Sequence, residues 1–199
     1  MTKKIIAIDA DDTIFDENTA VRLFMNETYG FNHTEADYMV QGPFATYWEH
    51  IWNVSPEKMH EMYEKFVTSP YKHNLQPIAG AINALRQLKE RYELVIVTSR
   101  DHRAVEFTHR SFAEHYPDIF SDVHFTPLWG NGENPTKAMV CTEIGASYLI
   151  DDSFEHCSLM ADAGINALLF GNYGWNCYQE LPEKVTRCKD WNAVLDILA

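Results

Sequence analysis

Short apolar runs that alternate with helix-like segments are the clearest pattern along the chain. The runs that predict buried parallel strands cover residues 5–8, 94–97, 148–150 and 167–170, with a weaker candidate at 123–125. The helical patterns between them cover about 81–88, 102–115 and 135–145. Such alternation implies right-handed crossovers and a parallel sheet with helices on both faces. We therefore expect a Rossmann-like α/β fold that binds ligands at the carboxyl ends of its strands.

Residues 16–76 depart from this alternation, because they contain helical patterns and no convincing strand. The helices predicted there are 17–29, which ends at Gly30, one that follows Pro43, and one that begins at Ser55-Pro56. We expect an α/β core of residues 1–15 and 77–199, and a small helical cap inserted after the first strand. We call residues 16–76 the cap segment.

A stripe of large apolar side chains follows Pro43 in the cap segment. Its members recur at the spacing of one helix face, and they are Phe44, Tyr47, Trp48, Ile51 and Trp52. This spacing suits packing inside a helical bundle, and it also suits the stacking of some rings on a flat substrate group. For the second interpretation, the candidate substrate-binding rings are Phe44, Trp48 and Trp52. Trp129 and Trp175 are equally open as lid or core residues.

The charge of the chain excludes some classes of partner. Its 199 residues include 16 Lys and Arg against 29 Asp and Glu, a net charge of −13, and the acidic residues are spread along the chain. Such a surface repels nucleic acid polymers and anionic membranes. The apolar run at 5–8 is far shorter than a signal-peptide core, and the four cysteines form no CxxC pair. We expect a cytoplasmic protein, monomeric or homodimeric, that binds a small molecule.

The first predicted strand ends in Asp9-Ala10-Asp11-Asp12-Thr13, a DxDxT sequence. Asp9 and Asp11 leave the strand end on the same side, so both carboxylates can point at one ligand. Because these charges repel each other, a divalent cation is expected between them, and Mg²⁺ suits carboxylate, carbonyl and phosphate oxygens. An EF-hand calcium loop is excluded, because Ile14 stands where that loop has glycine and a strand precedes it instead of a helix.

Three further short sequences follow DxDxT along the chain, each at the end of a predicted strand or at the start of a predicted helix. After DxDxT come Thr98 at the end of the 94–97 strand, Lys137 at the start of the helix after Pro135, and Asp151-Asp152-Ser153 after the 148–150 strand. Together the four sequences resemble, in order, the four motifs of the haloacid dehalogenase (HAD) superfamily of phosphohydrolases. The resemblance covers residues 5 to about 176 and implies phosphoryl transfer.

The resemblance implies a role for each acidic residue of the motifs. Asp9 would attack phosphorus and form an aspartyl-phosphate, and Asp11 would protonate the leaving alkoxide and then activate water. Mg²⁺ would be held by the Asp9 carboxylate, the Asp11 carbonyl and one carboxylate of the fourth motif. We favour Asp152 as this third ligand, with Asp151 behind it or as an alternative ligand.

The other motif residues would bind phosphate. Thr98, helped by Ser99, would donate a hydrogen bond to a phosphoryl oxygen, and Lys137 would neutralise both the nucleophile and the phosphate. The four acidic side chains of the motifs carry a formal charge of −4, which Lys137 reduces to −3 and Mg²⁺ to −1, before Arg100 is counted. An anionic substrate therefore needs the cation.

An insertion after the first motif resembles the helical caps that select the leaving group in this superfamily. A dehalogenase is disfavoured, because those enzymes lack the second aspartate, which is Asp11 here. A phosphonatase needs a cap lysine that forms a Schiff base, and Lys58, Lys65 and Lys72 leave that alternative open. Phosphatase is the default expectation.

Among phosphatases, the chain is similar to the cytosolic type C 5′(3′)-deoxyribonucleotidases. The features that carry this similarity are the small aromatic-rich cap, Thr98-Ser99, residues 150–152, and residues 168–170 leading to Trp175-Asn176. Two residues depart from the pattern, since Asp12 stands where those enzymes usually have glycine and Arg100 where they have proline. Arg100 is then either a phosphate or sugar contact or an exposed loop arginine.

The resulting hypothesis is a Mg²⁺-dependent phosphomonoesterase that acts on a nucleoside monophosphate, with cap aromatics against the base. One alternative keeps this chemistry and changes the substrate to a phosphosugar or another small phosphorylated metabolite. A phosphomutase is a further alternative. A regulatory protein that binds phosphate without turnover is the alternative from another class.

Overall fold

A single parallel sheet forms the centre of the molecule. The computed structural model describes residues 2–126, 135–177 and 180–199, without the side chain of His102, and Trp129 lies outside these residues. The strands are β1 (Lys4–Ile8), β2 (Tyr92–Thr98), β3 (Asp122–Phe125), β4 (Ala146–Asp151), β5 (Asn166–Phe170) and β6 (Val185–Cys188). Their order is β3-β2-β1-β4-β5-β6 and all pairs are parallel. The α/β prediction is confirmed.

Helices connect the strands and form the cap segment. They are α1 (Glu17–Tyr29), α2 (Tyr47–Trp52), α3 (Pro56–Val67), α4 (Pro70–His73), α5 (Ala81–Arg91), α6 (Val105–His115), α7 (Lys137–Glu143), α8 (Phe154–Asp162) and α9 (Trp191–Leu198). The hydrophobic pattern did not predict α4, α8, α9 or β6. Within the described ranges, no helix combines the length and apolar composition that crossing a bilayer requires.

The position of β1 in the sheet brings the predicted motifs together. Ile8, the last residue of β1, pairs with Ile96 of β2 on one side and with Ile150 of β4 on the other. The three strands therefore end at the same edge, where Asp9, Thr98 and Asp151 follow these residues by one or two positions. The carboxyl edge of the sheet is where an open α/β fold binds ligands.

Both faces of the sheet are covered, because successive side chains of a strand point to opposite faces. Ile6 and Ile8 belong to a core with residues of α5, α6 and α9, including Leu85, Phe112 and Trp191. The residues on the other face share a second core with α7 and α8, and they include Ala7, Val95, Val97, Cys141, Cys157 and Met160. Continuous apolar runs are needed for strands buried on both faces, which is why periodicity identified them.

The helices of the cap segment have a separate apolar core. Its buried members come from α1, α2, α3 and the turn between α1 and α2, and they are Val21, Phe24, Met25, Tyr38, Trp52, Met62 and Phe66. Helix α1 begins where the Asp16 carboxylate accepts a hydrogen bond from the Thr19 amide at 3.0 Å, and it ends at Gly30 with φ of 71°. This separate core is consistent with the predicted cap domain, whose boundaries at 16 and 76 stay a prediction.

The chain enters and leaves the cap segment at neighbouring points. The Asp16 amide donates a hydrogen bond to the Gln76 carbonyl at 2.9 Å, and the Ile78 amide donates to the Ile14 carbonyl at 2.8 Å. The segment that enters the cap and the segment that leaves it therefore run side by side, directly after the DxDxT loop. This arrangement places the start of α1 and the end of α4 next to the carboxyl edge of the sheet.

We predict that Gly174→Ala destabilises the contact between the core and the cap segment. A Cβ at Gly174 would lie 2.2 Å from the Val40 carbonyl oxygen and 2.3 Å from the Tyr47 hydroxyl. Overpacking of this kind costs about 1–3 kcal/mol, which urea unfolding would measure. Gly42→Ala is the matched control, because its Cβ meets only Tyr47 at an ordinary 3.6 Å. Equal free energies of unfolding for the two variants would contradict the prediction.

Candidate active site

Three carboxylates meet at the carboxyl edge of the sheet. Asp9 follows β1, Asp151 ends β4 and Asp152 follows it, and all three side chains are buried. One oxygen from each lies within 4.8 Å of the others. Such a group of hard oxygen donors is the kind of site that a divalent cation occupies in proteins.

Lys137 lies against two of these carboxylates. It is the first residue of α7, a helix that begins where the Thr136 hydroxyl accepts a hydrogen bond from the Met139 amide at 3.2 Å. Its Nζ is 2.8 Å from Asp9 Oδ1 and 2.7 Å from Asp151 Oδ2. Burial disfavours the charged amine, but the two carboxylates raise the pKa of Lys137, so the residue carries a positive charge.

The buried carboxylates of Asp9 and Asp152 favour the binding of further positive charge near them. Burial and the nearby charges of Asp151 and Asp9 raise the pKa of Asp152 well above its ordinary value. Burial also raises the pKa of Asp9, against the opposing effect of Lys137. A group with a pKa raised in this way gains by binding either a proton or a cation. The residues present therefore fit a divalent metal ion.

Asp151 and Asp152 have different environments. Asp151 accepts hydrogen bonds from the Ser153 amide at 2.9 Å and from Lys137, and it lies beneath the site without contact with solvent. Asp152 lines the cavity, and its Oδ2 accepts a hydrogen bond from Trp175 Nε1 at 2.7 Å. Of the two, Asp152 is the one with a carboxylate facing open space.

The Asp11 carboxylate does not belong to this group of three and is instead paired with two cations. Arg100 donates to Asp11 Oδ1 at 2.6 Å from Nη2 and to Oδ2 at 2.9 Å from Nε, and Lys72 Nζ is 2.8 Å from Oδ2. Although burial opposes it, Arg100 and then Lys72 hold the pKa of Asp11 well below its usual range. The exposed-loop alternative for Arg100 is wrong, because its guanidinium is buried in this contact.

Lys72 also connects Asp11 to a second buried acid. Its ammonium pairs with Glu17 of α1, and the Tyr63 hydroxyl of α3 donates to Glu17 Oε1 at 2.6 Å. Burial and the charge of Asp11 raise the pKa of Glu17 to about 7. Lys72 of α4 therefore links one residue of the DxDxT loop to Glu17 of α1, and through Glu17 to Tyr63 of α3.

The backbone explains why glycine is usual at the position of Asp12. Asp12 has φ of 53°, a left-handed conformation that glycine adopts without strain. Aspartate is tolerated here because its Oδ1 accepts a hydrogen bond from the Asn18 amide at 2.8 Å and its carbonyl accepts one from the Tyr173 hydroxyl at 2.8 Å. The departure is thus compensated locally, at the start of α1.

Two hydroxyl residues lie at the end of β2. Thr98 is buried, and its carbonyl accepts a hydrogen bond from the Thr126 amide at 2.8 Å. Ser99 follows it, and among the described residues its Oγ has no hydrogen-bond partner. Both residues line the cavity beside Asp9 and Lys137, so their hydroxyls can donate to an anion there.

A cavity of about 400 Å³ joins these groups. Its floor contains Asp9, Asp11, Asp152, Thr98, Ser99, Arg100 and Lys137, and its aromatic walls contain Phe44, Trp48, Tyr63, Phe107 and Trp175. The cavity therefore lies between the sheet edge and the cap segment. Phe44 and Trp48 line it, as the sequence analysis expected of substrate-binding rings.

Trp52 does not line this cavity, which corrects its assignment as a substrate-binding ring. It is buried behind Trp48, with the two rings stacked at 5.4 Å between centroids, and its Nε1 donates to the Tyr38 hydroxyl at 2.8 Å. Trp48 and Trp52 are four residues apart and share a helix face, but Trp52 is buried in the core of the cap segment. Helical spacing alone does not distinguish a ring that lines the cavity from a ring that is buried behind it.

Comparison with known proteins identifies the family. Residues 3–199 match the model of the family described as 5′ nucleotidase, deoxy (Pyrimidine), cytosolic type C protein. The chain belongs to this family. No curated protein sequence matches the chain. Membership makes this nucleotidase-family chain a HAD phosphohydrolase, a hydrolase that acts on phosphoric monoesters.

Solved structures agree on the fold of the nucleotidase-family chain. It is similar to the haloacid dehalogenase-like hydrolase SP0104 from Streptococcus pneumoniae, at 16% identity over 99% of both chains with a TM-score of 0.67. A HAD-superfamily hydrolase of subfamily IA from Geobacter sulfurreducens PCA is 20% identical over 99% of this chain and 97% of that one, with a TM-score of 0.61. The HAD-hydrolase YfnB from Bacillus subtilis, solved bound to magnesium, is 16% identical over 100% and 99%, with a TM-score of 0.62.

Several residues around the site of this chain were not predicted from its sequence. Glu17 carried a usable signal, because it is a charged residue on the same helix face as Val21 and Phe24, both buried. Lys72 was considered only as a Schiff-base former, and its pairing with Asp11 had no local signal. Contacts between residues 61 positions apart depend on the tertiary fold.

We predict that Lys137→Met makes the stability of the nucleotidase-family chain fall as pH rises. Without the ammonium, the folded-state pKa of Asp9, which burial already raises, should rise further, and that of Asp151, which Lys137 helps to lower, should rise above the unfolded value of about 3.9. An acid with a raised folded pKa favours folding when protonated and opposes it when ionised. The free energy of unfolding, measured with urea in the presence of EDTA, should therefore be about 3–5 kcal/mol lower in Lys137→Met than in the unsubstituted protein at pH 8. At pH 5 the difference should be smaller.

Lys65→Met is the control for this measurement. Lys65 is exposed and pairs only with Glu61 at the surface among the salt bridges of the described residues, so its loss should change stability by less than about 1 kcal/mol. A loss in Lys137→Met that is the same at pH 5 and pH 8 would contradict the assignment of the lysine as the counter-charge.

Proposed function

We propose that this protein is a Mg²⁺-dependent phosphomonoesterase that hydrolyses nucleoside monophosphates through an aspartyl-phosphate intermediate. The observation that carries the proposal is the position of Asp9. Its carboxylate is buried 2.8 Å from the Lys137 ammonium, beside Asp152 and at the floor of a cavity with aromatic walls. A nucleophile, a counter-charge and space for a flat group therefore meet at one place.

In this proposal, the protein supplies the nucleophile and the proton transfers. An oxygen of Asp9 attacks phosphorus, and Asp11 donates a proton to the leaving alkoxide as its bond to phosphorus breaks. Because Arg100 and Lys72 hold Asp11 ionised in the structure, this step requires that the entering substrate loosen those pairs and that Asp11 first take up a proton from solvent. Asp11 then takes a proton from the water that attacks the aspartyl-phosphate and regenerates Asp9. Thr98, Ser99 and Lys137 bind phosphoryl oxygens, so the charge that develops on them is stabilised.

Asp9 and Asp152 would hold Mg²⁺ together with the Asp11 carbonyl, and Asp151 would support them from beneath. When bound, the cation would neutralise charge on the phosphoryl oxygens. The raised pKa values of Asp9 and Asp152 support this role, because both groups gain from added positive charge. The structural neighbour from Bacillus subtilis was itself solved bound to magnesium.

The aromatic walls and the family support a nucleotide as substrate. Phe44 and Trp48 of the cap segment face the cavity, and rings of this kind stack on nucleobases. A cavity of about 400 Å³ accommodates a ligand of this class. The cap segment would then close over the base and select the leaving group. The family description is of a cytosolic protein, and we propose the cytoplasm as its location.

The proposal predicts phosphate release that depends on Mg²⁺. Incubation with ribo- and deoxyribonucleoside 5′-monophosphates and with sugar phosphates should release phosphate fastest from the nucleotides. EDTA should abolish the release and excess Mg²⁺ should restore it. Asp9→Asn is the control, since it should fold normally and reduce phosphate release to background. Full turnover in EDTA, or a preference for sugar phosphates, would contradict the metal or the substrate respectively.

We also predict that Trp48 and Trp52 differ in their effect on substrate binding. Trp48→Ala should raise KM for the preferred nucleotide by about fivefold or more, because base–aromatic stacking contributes about 1–3 kcal/mol. KM for ribose 5-phosphate, the same ester without a base, should change little. Trp52→Ala should instead lower the free energy of unfolding by about 3–5 kcal/mol and leave the ratio of the two KM values unchanged. Equal KM ratios in both variants would contradict stacking on Trp48.

A further inference from the structure

Trp175 lies between the proposed metal site and the cap segment. It belongs to a single helical turn, Gly174–Asn176, that follows β5, and its side chain is buried at one wall of the cavity. Its indole Nε1 donates a hydrogen bond to Asp152 Oδ2 at 2.7 Å. The reaction steps proposed for the site do not use this contact, although Asp152 is a proposed ligand of the cation.

The next residue of the same turn holds the backbone of Asp152. Asn176 is completely buried, and its Nδ2 donates to the carbonyl oxygens of Asp152 and Phe170, at 2.9 Å in both cases. Its Oδ1 accepts a hydrogen bond from the Tyr173 amide at 3.1 Å. Two consecutive residues therefore hold Asp152, Asn176 through the backbone and Trp175 through the carboxylate.

The Trp175 ring is itself held by other rings. Tyr173 stacks on it, with 4.6 Å between centroids and 1° between planes, and the Tyr173 hydroxyl donates to the Asp12 carbonyl at 2.8 Å. From the cap segment, Tyr47 packs edge-on at 5.1 Å and Trp48 lies at 5.9 Å. Because the ring is packed in this way, the position of its N–H is fixed.

We propose that Trp175 is a positioning residue for Asp152, whose carboxylate its N–H holds in the orientation that binds Mg²⁺. This inference rests on the proposed function, in which Asp152 is a ligand of the cation. An indole nitrogen only donates hydrogen bonds, so it orients the carboxylate and is not itself a metal ligand. Mg²⁺ demands near-ideal octahedral geometry, so a carboxylate that is free to rotate binds it less tightly. Loss of a group that holds a metal ligand typically lowers metal affinity 10–100-fold.

A purely packing role for the Trp175 ring is the competing explanation, and two substitutions separate it from the hydrogen bond. Trp175→Phe keeps a flat ring against Tyr173 and the cap segment and removes the N–H. Trp175→His removes the outer half of the indole and keeps an N–H, because imidazole superposes on the five-membered half with Nε2 at the place of Nε1. The hydrogen bond predicts tighter Mg²⁺ binding in Trp175→His than in Trp175→Phe, and packing predicts the reverse.

The experiment measures Kd for Mg²⁺ alone with the full chain, by calorimetric titration at pH 8, where imidazole is neutral. Metal is first removed with EDTA, and the EDTA is then removed by dialysis. Trp175→Phe should raise Kd about tenfold, and Trp175→His should stay within about threefold of the unsubstituted protein. Trp52→Phe is the matched control, because Trp52 is also buried and its Nε1 donates to the Tyr38 hydroxyl at 2.8 Å. This control should leave Kd unchanged.

Phosphate release from a nucleoside monophosphate supplies a second readout. In Trp175→Phe, the Mg²⁺ concentration for half-maximal release should rise about tenfold, while kcat at saturating Mg²⁺ should stay within about threefold. Loss of packing alone would reduce release at every Mg²⁺ concentration, so rescue by excess cation distinguishes positioning from packing.

NMR of the unsubstituted protein tests the inference if Trp175→Phe does not fold. The chain has five tryptophans, and the indole N–H resonance that is missing in Trp175→His belongs to Trp175. This resonance should shift when Mg²⁺ is added. The resonance of Trp52, identified in the same way from Trp52→Phe, should not shift.

Three results would each overturn the inference: equal or tighter Mg²⁺ binding in Trp175→Phe, weaker binding in Trp175→His than in Trp175→Phe, or a Trp175 resonance that does not respond to Mg²⁺. Failure of the proposed function has a different signature. If the unsubstituted protein binds Mg²⁺ but releases no phosphate from nucleotides, the substrate is wrong and the titration still decides the role of Trp175. If it binds no Mg²⁺, the proposed metal and the inference are both wrong.

Discussion

The balance of buried charge at the carboxyl edge of the sheet is the constraint on which the rest of the structure depends. Within the described part of the chain, the acidic side chains gathered there are Asp9, Asp11, Asp12, Glu17, Asp151 and Asp152, and the cations against them are Lys72, Arg100 and Lys137. Burying unpaired charges is costly. The acids outnumber the cations, and this excess is the physical reason to expect a metal ion in the cavity, without which an anionic substrate would be repelled.

The cations are divided between two parts of the molecule that do different work. Lys137 contacts Asp9, which follows β1, and Asp151, which ends β4, next to the proposed point of attack on phosphorus. Arg100 and Lys72 contact Asp11, where the leaving group would depart. In the proposed mechanism, the charges next to bond formation would come from the α/β core, and those next to bond breaking would be shared between the core and the cap segment.

The sequence predicted most of the sheet and the motif residues for a physical reason. Strands buried on both faces must be continuously apolar, and a parallel sheet must bring Asp9, Thr98 and the fourth motif to one edge. The pattern did not predict β6, in which Val185 and Cys188 are buried but the two residues between them are not, so no continuous apolar run marks the strand. Nor did it distinguish Trp48 from Trp52, or find the contact of Lys72 with Asp11, because these depend on packing between distant segments.

The side-by-side crossings at Asp16–Gln76 and Ile14–Ile78 have an evolutionary consequence. An insertion with adjoining ends can be lengthened, shortened or replaced while the sheet around it keeps its shape, so new substrates can arise by recombination at this point. In this chain, replacement of the cap segment would also remove charged side chains that contact the DxDxT loop. Because Glu17 and Lys72 both lie within the insertion, a replacement module without an equivalent pair would leave the Asp11 carboxylate paired with Arg100 alone.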